Sequence, residues 1–198
     1  MEKKFHKLKV AGSILLTIAI LAGIGVTVIF GMSKVALNDY RSATTGQINA
    51  VINGEQTGAP VELNPVFLAD IVNPDYKRIG EMGSEYKDLL SSAINYMAVF
   101  GAHNTVVGLY NDNIADGKLL NAEILISTQK YLQIVESNYP GEEEFIENLR
   151  KLVDKITVST TISEIREYFD PILHEGETWI VDLSSNLDAG IKDFQQKL

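Results

Sequence analysis

The sequence predicts an all-α fold, in which an N-terminal transmembrane helix continues into an antiparallel helical bundle of about four main helices. Three observations predict it. Val10 to Met32 form an apolar run of 23 residues without a charge. Apolar residues after that run recur at intervals of three and four, the spacing of one helix face. No run of residues alternates between polar and apolar as a half-buried strand would.

Charge is distributed unevenly along the chain of 198 residues. The total charge is -9, yet residues 1–9 contain four lysines and one glutamate. Removing these from the totals of 17 basic and 26 acidic side chains leaves 13 and 25, a net charge of -12 for the remainder. Such an acidic body is a poor partner for nucleic acid, which binds clustered cations. The absence of cysteine excludes disulfides and thiolate chemistry.

The apolar run is long enough to cross a membrane. As a helix, its 23 residues would span roughly 35 Å, and a hydrocarbon core is about 30 Å thick. A signal peptide has a shorter apolar stretch of roughly 7–15 residues. Its only candidate cleavage site here, Val35-Ala36, lies beyond Lys34. We therefore expect an uncleaved anchor, with a cleaved leader or a buried helix of a soluble protein as alternatives.

The basic residues predict the orientation of that anchor. Lysines cluster before the span, and positive charge tends to stay in the cytoplasm. We expect a cytoplasmic segment at 1–9, a transmembrane helix at 10–32 and one extracytoplasmic domain at 33–198 of a single-pass protein of the cell membrane. Ala19 and Gly23 lie four residues apart and would allow a second membrane helix to approach, which favours a homodimer or higher oligomer. Small residues are also simply common in membrane helices.

Capping residues and breaks divide the rest of the chain into helices. We expect the first helix to continue to about Ile52 and residues 53–64 to form a loop. Asn64-Pro65 and Asn73-Pro74 each resemble an N-cap followed by a first-turn proline. The predicted helices are a short one from Pro65, a long one from Pro74 to about Asn113, and others at Gly117 to about Asn138, from Glu142 past Ile156, and from Asp170-Pro171 to the end.

Smaller signals refine the later helices. Asp116 is the predicted cap of the helix from Gly117, and Thr161 with Glu164 matches a capping box. Two apolar stripes have the spacing of coiled-coil seams. They consist of Phe145, Leu149, Leu152 and Ile156, and of Ile180, Leu183, Leu187, Ile191, Phe194 and Leu198. Because the second stripe is still in register at Leu198, we expect that helix to continue in a longer parent protein and to return to the membrane.

The start of the chain has a familiar pattern. FHKLKV, an apolar span and then GMSKVALNDY resemble the N-terminus of bacterial methyl-accepting chemotaxis receptors and related sensor kinases. The resemblance covers roughly residues 5–45 in residue type and the remainder in architecture. It implies a first transmembrane helix that runs into an extracytoplasmic four-helix sensory bundle, followed by a second span that this chain does not contain.

No motif predicts an enzyme, a cofactor or a metal centre. The sequence lacks a P-loop, GxSxG, HExxH and a dinucleotide fingerprint. Four positions of a calcium loop are matched by Asp112, Asp116, Gly117 and Glu123. However, the third position of such a loop needs an oxygen ligand, and it is occupied by Ile114. Helix capping also explains two of these residues, so we predict no metal site.

A ligand pocket is the remaining candidate site. Tyr96, Phe100, His103 and Asn104 combine aromatic and polar groups on neighbouring turns of one predicted helix. Such groups in a bundle core could line a cavity for a small molecule, although aromatic residues at this spacing are also ordinary core residues.

Two kinds of function fit these patterns. The first is a sensor module that binds a small molecule or a protein and transmits the signal by motion between helices. The second is a structural or assembly subunit, such as a pilin-like filament protein, or an anchored partner-binding protein. The glutamate usual near the mature N-terminus of bacterial pilins is missing, and pilin heads usually contain a sheet.

Overall fold

The structure is a computed structural model, and it confirms the all-α fold. It describes the backbone from Glu2 to Leu198 except Gln56, Lys118 and Asn121, and side chains from Ala19 onward except those three and Asp116. No strand occurs in this described part, which contains one isolated bridge between Leu119 and Thr161. Its helices are α1 Glu2–Ile52, α2 Ala69–Val72, α3 Pro74–Glu81, α4 Gly83–Asp116, α5 Ala122–Asn138, α6 Glu143–Lys155 and α7 Ile162–Lys197.

Helix α1 runs without a break from the basic segment through the apolar run. Its end at Ile52 is where the sequence predicted it, because Gly54 adopts a φ of +77° that closes a turn. By length and composition, α1 is the one described helix that could cross a membrane, from Ala19 onward. Only 17% of its most apolar 18-residue stretch is buried, which argues against a core helix of a soluble protein. The side chains of the predicted segment 1–9 and of residues 10–18 lie outside the described residues.

The chain forms two compact units. Unit 1 comprises residues 1–47, 58–87 and 195–198, and unit 2 comprises residues 48–57 and 88–194. In unit 1, Asn73 caps α3 as predicted, because its side chain accepts a hydrogen bond from the Asp75 amide at 3.2 Å and Pro74 begins the helix. Asn73 also donates to the Ser33 hydroxyl at 2.8 Å, which connects this cap to α1.

The predicted helix starting at Pro65 is wrong. Residues 64–66 are not helical, because the Tyr76 hydroxyl donates to the Asn64 carbonyl and accepts from the Val66 amide at 2.9 Å. Only the single turn of α2 follows, and it begins after Leu68, whose φ is +59°. The long helix expected from Pro74 is also interrupted, since Met82 separates α3 from α4.

Unit 2 is the predicted antiparallel bundle of four helices. Most of α4 packs with α5, α6 and α7 around one apolar core. The ring pairs Tyr110–Phe169 at 4.5 Å and Phe145–Trp179 at 5.2 Å join neighbouring helices. Both predicted stripes lie in buried or half-buried positions. Short connections at 117–121, 139–142 and 156–161 turn the chain back at each end, as in an up-down bundle.

Two predicted helix starts in unit 2 are wrong. Helix α4 continues to Asp116, and Gly117 ends it with a φ of +61°, so α5 begins only at Ala122. The Asp116 side chain, predicted as a cap, lies outside the described residues. Helix α7 begins at Ile162, so Asp170-Pro171 lies inside it.

Local contacts explain both the start of α7 and its passage through proline. The Glu164 carboxylate accepts from the Thr161 amide at 2.7 Å, which is the predicted capping interaction. Asp170 accepts from Arg166 at 3.0 Å and from the Tyr110 hydroxyl, and these contacts hold the turn before Pro171. Tertiary packing thus outweighs the hydrogen bond that proline removes from a helix.

Candidate functional site

A groove in unit 2 lies between α4 and α7. Its cavity volume is 460 Å³, within the range of about 300–1,000 Å³ that small-molecule sites occupy. The two helices run antiparallel along it, since Tyr110 contacts Phe169 and His103 lies beside Gly176. The lining residues are Phe100, His103, Asn104, Val107, Tyr110 and Asn111 from α4, and Asp170, Leu173, His174, Glu177, Ile180 and Val181 from α7. We call this site the His103 groove.

His103 forms the buried wall of the groove. The residue is 5% exposed, and its Nδ1 atom has no hydrogen-bond partner among the described residues. The ring lies edge-on to Tyr131 of α5 at 5.5 Å, and the Tyr131 hydroxyl is also without a partner in the described part of the chain. Both side chains approach α7 at Gly176, where a Cβ atom would lie 3.0 Å from His103 Nδ1 and from the Tyr131 hydroxyl.

Burial determines the protonation of these two groups. Desolvation lowers the pKa of His103, and the Glu177 carboxylate opposes this only in part. Desolvation also raises the pKa of Tyr131, and the charge of Glu175 adds to the effect. At neutral pH, His103 is therefore a neutral imidazole that can donate from one nitrogen and accept at the other.

The exposed rim of the groove is acidic. Desolvation and the hydrogen bond to Asp170 raise the pKa of Tyr110, and the same hydrogen bond, with Arg166, lowers the pKa of Asp170. Asp170 is thereby occupied by Tyr110 and Arg166. Glu177 has no ion-pair partner among the described side chains, and no lysine or arginine lines the groove. Glu177 is thus the carboxylate available to a ligand.

Three of the four predicted ligand residues share this groove. Phe100, His103 and Asn104 line it, and Phe100 is 37% exposed. Tyr96 stacks on Phe100 at 5.9 Å but lines a separate hollow of 310 Å³ that includes Tyr139 and Leu187. The structure therefore divides the predicted set, and binding by either part remains a prediction.

Sequence reasoning missed the α7 side of the groove. His174, Glu177 and Tyr110 join His103 only because α4 and α7 run antiparallel in a particular register. The apolar stripe of α7 places Ile180 toward the core. By helical spacing, residues 173, 174 and 177 lie on or beside the same face one or two turns before it. This periodicity was the available signal, but the opposing partner could not be read from it.

The other sequence candidates lie apart from the groove. Ala19 and Gly23 are exposed on α1, and a Cβ at Gly23 would meet nothing within 4 Å, so the predicted membrane seam stays a prediction. Asp112 and Ile114 are helical residues of α4, a geometry that does not fit a calcium loop. No group of three candidate metal ligands occurs among the described residues.

Comparison with protein-family models, with curated proteins and with solved structures gave no match for this chain. The groove and the exposed apolar part of α1 are therefore the features from which a function is argued.

Proposed function

We propose that the chain is a membrane-anchored sensory module whose extracytoplasmic bundle binds a small amine in the His103 groove. The observation that carries the proposal is that the His103 ring and the Glu177 carboxylate, which has no ion-pair partner among the described side chains, line one groove of small-molecule size. A ligand ammonium group that pairs with Glu177 would make a charge-assisted hydrogen bond that the described side chains leave unmade.

The lining favours a particular chemistry. Glu177 supplies a negative charge, and the half-exposed Phe100 ring offers a face to a cation or an apolar group. Neutral His103 and Asn104 can each donate and accept hydrogen bonds. An ammonium group with a short apolar tail would match these groups, whereas an anion would meet an acidic rim without a compensating lysine or arginine.

Membrane anchoring is the second part of the proposal. The side chains of α1 from Ala19 to Met32 are exposed or half-buried, and they include Ile20, Leu21 and Ile24, each more than half exposed. An apolar surface of this kind in a soluble protein would promote association, whereas a bilayer covers it. Helix α1 continues without a break from its apolar part to Ile52, so motion of this one helix would carry a signal to the membrane.

Ligand binding can be tested on the full chain in nanodiscs. Phenylethylamine, short alkyl amines and amino acids would be compared with phenylpropionate, an anion of similar shape, by thermal shift and calorimetry. We expect amines alone to raise the melting temperature and Glu177→Gln to abolish that rise. Asp188→Asn, which changes an exposed carboxylate elsewhere on α7, is the matched control. Equal binding by Glu177→Gln, or no binding by any amine, would contradict the proposal.

A filament subunit is the second candidate. An unbroken α1 whose apolar part is exposed is also the shape expected of a helix that packs in the core of a filament. Mass spectrometry of the mature N-terminus separates the two functions. An intact leader through Lys9 supports the anchor, and cleavage near Ala11-Gly12 supports the filament.

A further inference from the structure

An exposed apolar turn lies beside α1 in unit 1. Phe67 is 81% exposed, Leu68 is 40% exposed and Ile71 is 71% exposed. They belong to residues 65–72, which we call the apolar turn, and Asp70 is its single charged residue. Water-exposed apolar side chains gathered in one short segment commonly mark an interaction surface.

The apolar turn is fastened to α1 where the apolar run ends. Ser33 directly follows that run, is fully buried and accepts the hydrogen bond from Asn73 at 2.8 Å. The Asn73 amide donates to Ala69 at 2.8 Å, and the Val72 amide donates to Leu68 at 3.3 Å. These bonds keep the turn within about one helical turn, roughly 5 Å, of the Asn73 backbone.

The path of the chain places this turn at the end of unit 1 next to the span. The Gln47 side chain donates to the Ala59 carbonyl at 2.9 Å, and the Asn73 side chain donates to the Ser33 hydroxyl. Between these two contacts the chain therefore runs along α1 from Gln47 toward the membrane span, over about 21 Å of the helix. After Asn73 the chain runs back along α1, because the Tyr86 hydroxyl donates to the Gln47 side chain. The chain reverses direction at the apolar turn and its junction with α3.

We propose that the apolar turn inserts into the lipid interface beside the point where α1 leaves the bilayer. This inference rests on the proposed membrane anchor. Phe67, Leu68 and Ile71 would supply the apolar face that interfacial segments bury among acyl chains. Lys34 lies at the same level, with its ammonium 4.8 Å from the centre of the Phe30 ring, a position suited to lipid headgroups.

The backbone of the apolar turn is held in an unusual conformation, as expected of a segment that presents its side chains to a surface. Leu68 has a φ of +59°, a region that leucine rarely adopts. Such conformations persist where surrounding contacts impose them, and the Tyr76 hydroxyl and the Asn73 side chain supply contacts on either side. A second attachment beside α1 would restrict rotation of unit 1 about the axis of the membrane span.

Lipid contact can be measured in the full chain reconstituted in phosphatidylcholine–phosphatidylglycerol vesicles. The chain has no cysteine, so single variants accept one polarity-sensitive fluorophore each. Phe67→Cys and Ile71→Cys report on the turn, and Ala59→Cys, an exposed residue beside Gln47, is the control. Ile24→Cys reports independently on the anchor. Lipids brominated near the headgroup or deep in the acyl chain quench a fluorophore that touches them.

We expect labels at 67 and 71 to emit at shorter wavelength and to lose most of their emission with shallow bromines, while the label at 59 keeps its emission. If the label at 24 is quenched by deep bromines and those at 67 and 71 are not, the anchor holds and the inference fails. If no label is quenched, the anchor fails as well. If unlabelled Phe67→Cys treated with an oxidant forms a disulfide between two copies, while the labelled variant is not quenched, the turn is a self-association surface and the inference is overturned.

Discussion

Gly176 of α7 packs directly against the His103 and Tyr131 side chains. A Cβ atom there would lie 3.0 Å from His103 and from the Tyr131 hydroxyl. Both neighbours are at least nine-tenths buried, so neither has free space into which it can move. Glycine at 176 therefore serves packing rather than backbone freedom.

Substituting this glycine tests that conclusion. Overpacking costs about 1–3 kcal/mol, and the better helix propensity of alanine returns about 0.5–1 kcal/mol. We expect Gly176→Ala to lower the free energy of unfolding by about 1 kcal/mol, measured by denaturant unfolding followed by circular dichroism. Gly108→Ala on α4 is the matched control, because its Cβ would meet nothing within 4 Å, and it should be neutral or stabilising. Equal stabilisation by both substitutions would show that the His103 and Tyr131 side chains can shift to accommodate the methyl group, and would contradict the prediction.

Two Asn-Pro pairs show how tertiary contacts select among helix signals. Asn73 caps α3 and bonds Ser33, and it is buried. Asn64 has an exposed side chain, and its backbone carbonyl accepts a hydrogen bond from the Tyr76 hydroxyl. The same dipeptide thus begins a helix at one site and an extended segment at the other.

Alanine substitution at the two asparagines should separate these roles. Loss of a cap costs about 0.5–2 kcal/mol, and loss of a buried hydrogen bond adds about 1 kcal/mol. We expect Asn73→Ala to destabilise the protein by about 2 kcal/mol in thermal unfolding, and Asn64→Ala to change stability by less than about 0.5 kcal/mol. Asn73→Ala and Ser33→Ala should be less than additive, since both remove the same bond. Full additivity would mean that the bond between them contributes nothing.

At the scale of the whole molecule, the basic N-terminus and the helical head should lie on opposite sides of the membrane. This orientation can be measured with single-cysteine variants by applying a membrane-impermeant maleimide to spheroplasts of a bacterial host. We expect labelling of Val158→Cys, an exposed site in unit 2, in intact spheroplasts, and labelling of Lys7→Cys only after lysis. The reverse pattern would contradict the orientation, and labelling of both without lysis would contradict the span.

Local signals allowed the sequence by itself to determine several features. The uncharged run from Val10, the helix end at Ile52, the Asn73 cap and the buried stripe from Phe145 each depend on neighbouring residues. Spacing alone also placed Phe100, His103 and Asn104 on one helix face, because side chains three or four apart share a face.

Tertiary structure decided what depends on distant partners. Pro171 is accommodated within α7 because Tyr110 and Arg166 hold Asp170. His174 and Glu177 join His103 because two antiparallel helices settle in one register, which is set by packing across the core. The exposure of Phe67 follows from a chain reversal fixed at Ser33. These outcomes arise between segments far apart in sequence, whereas helix periodicity reports only on residues within a few turns of each other.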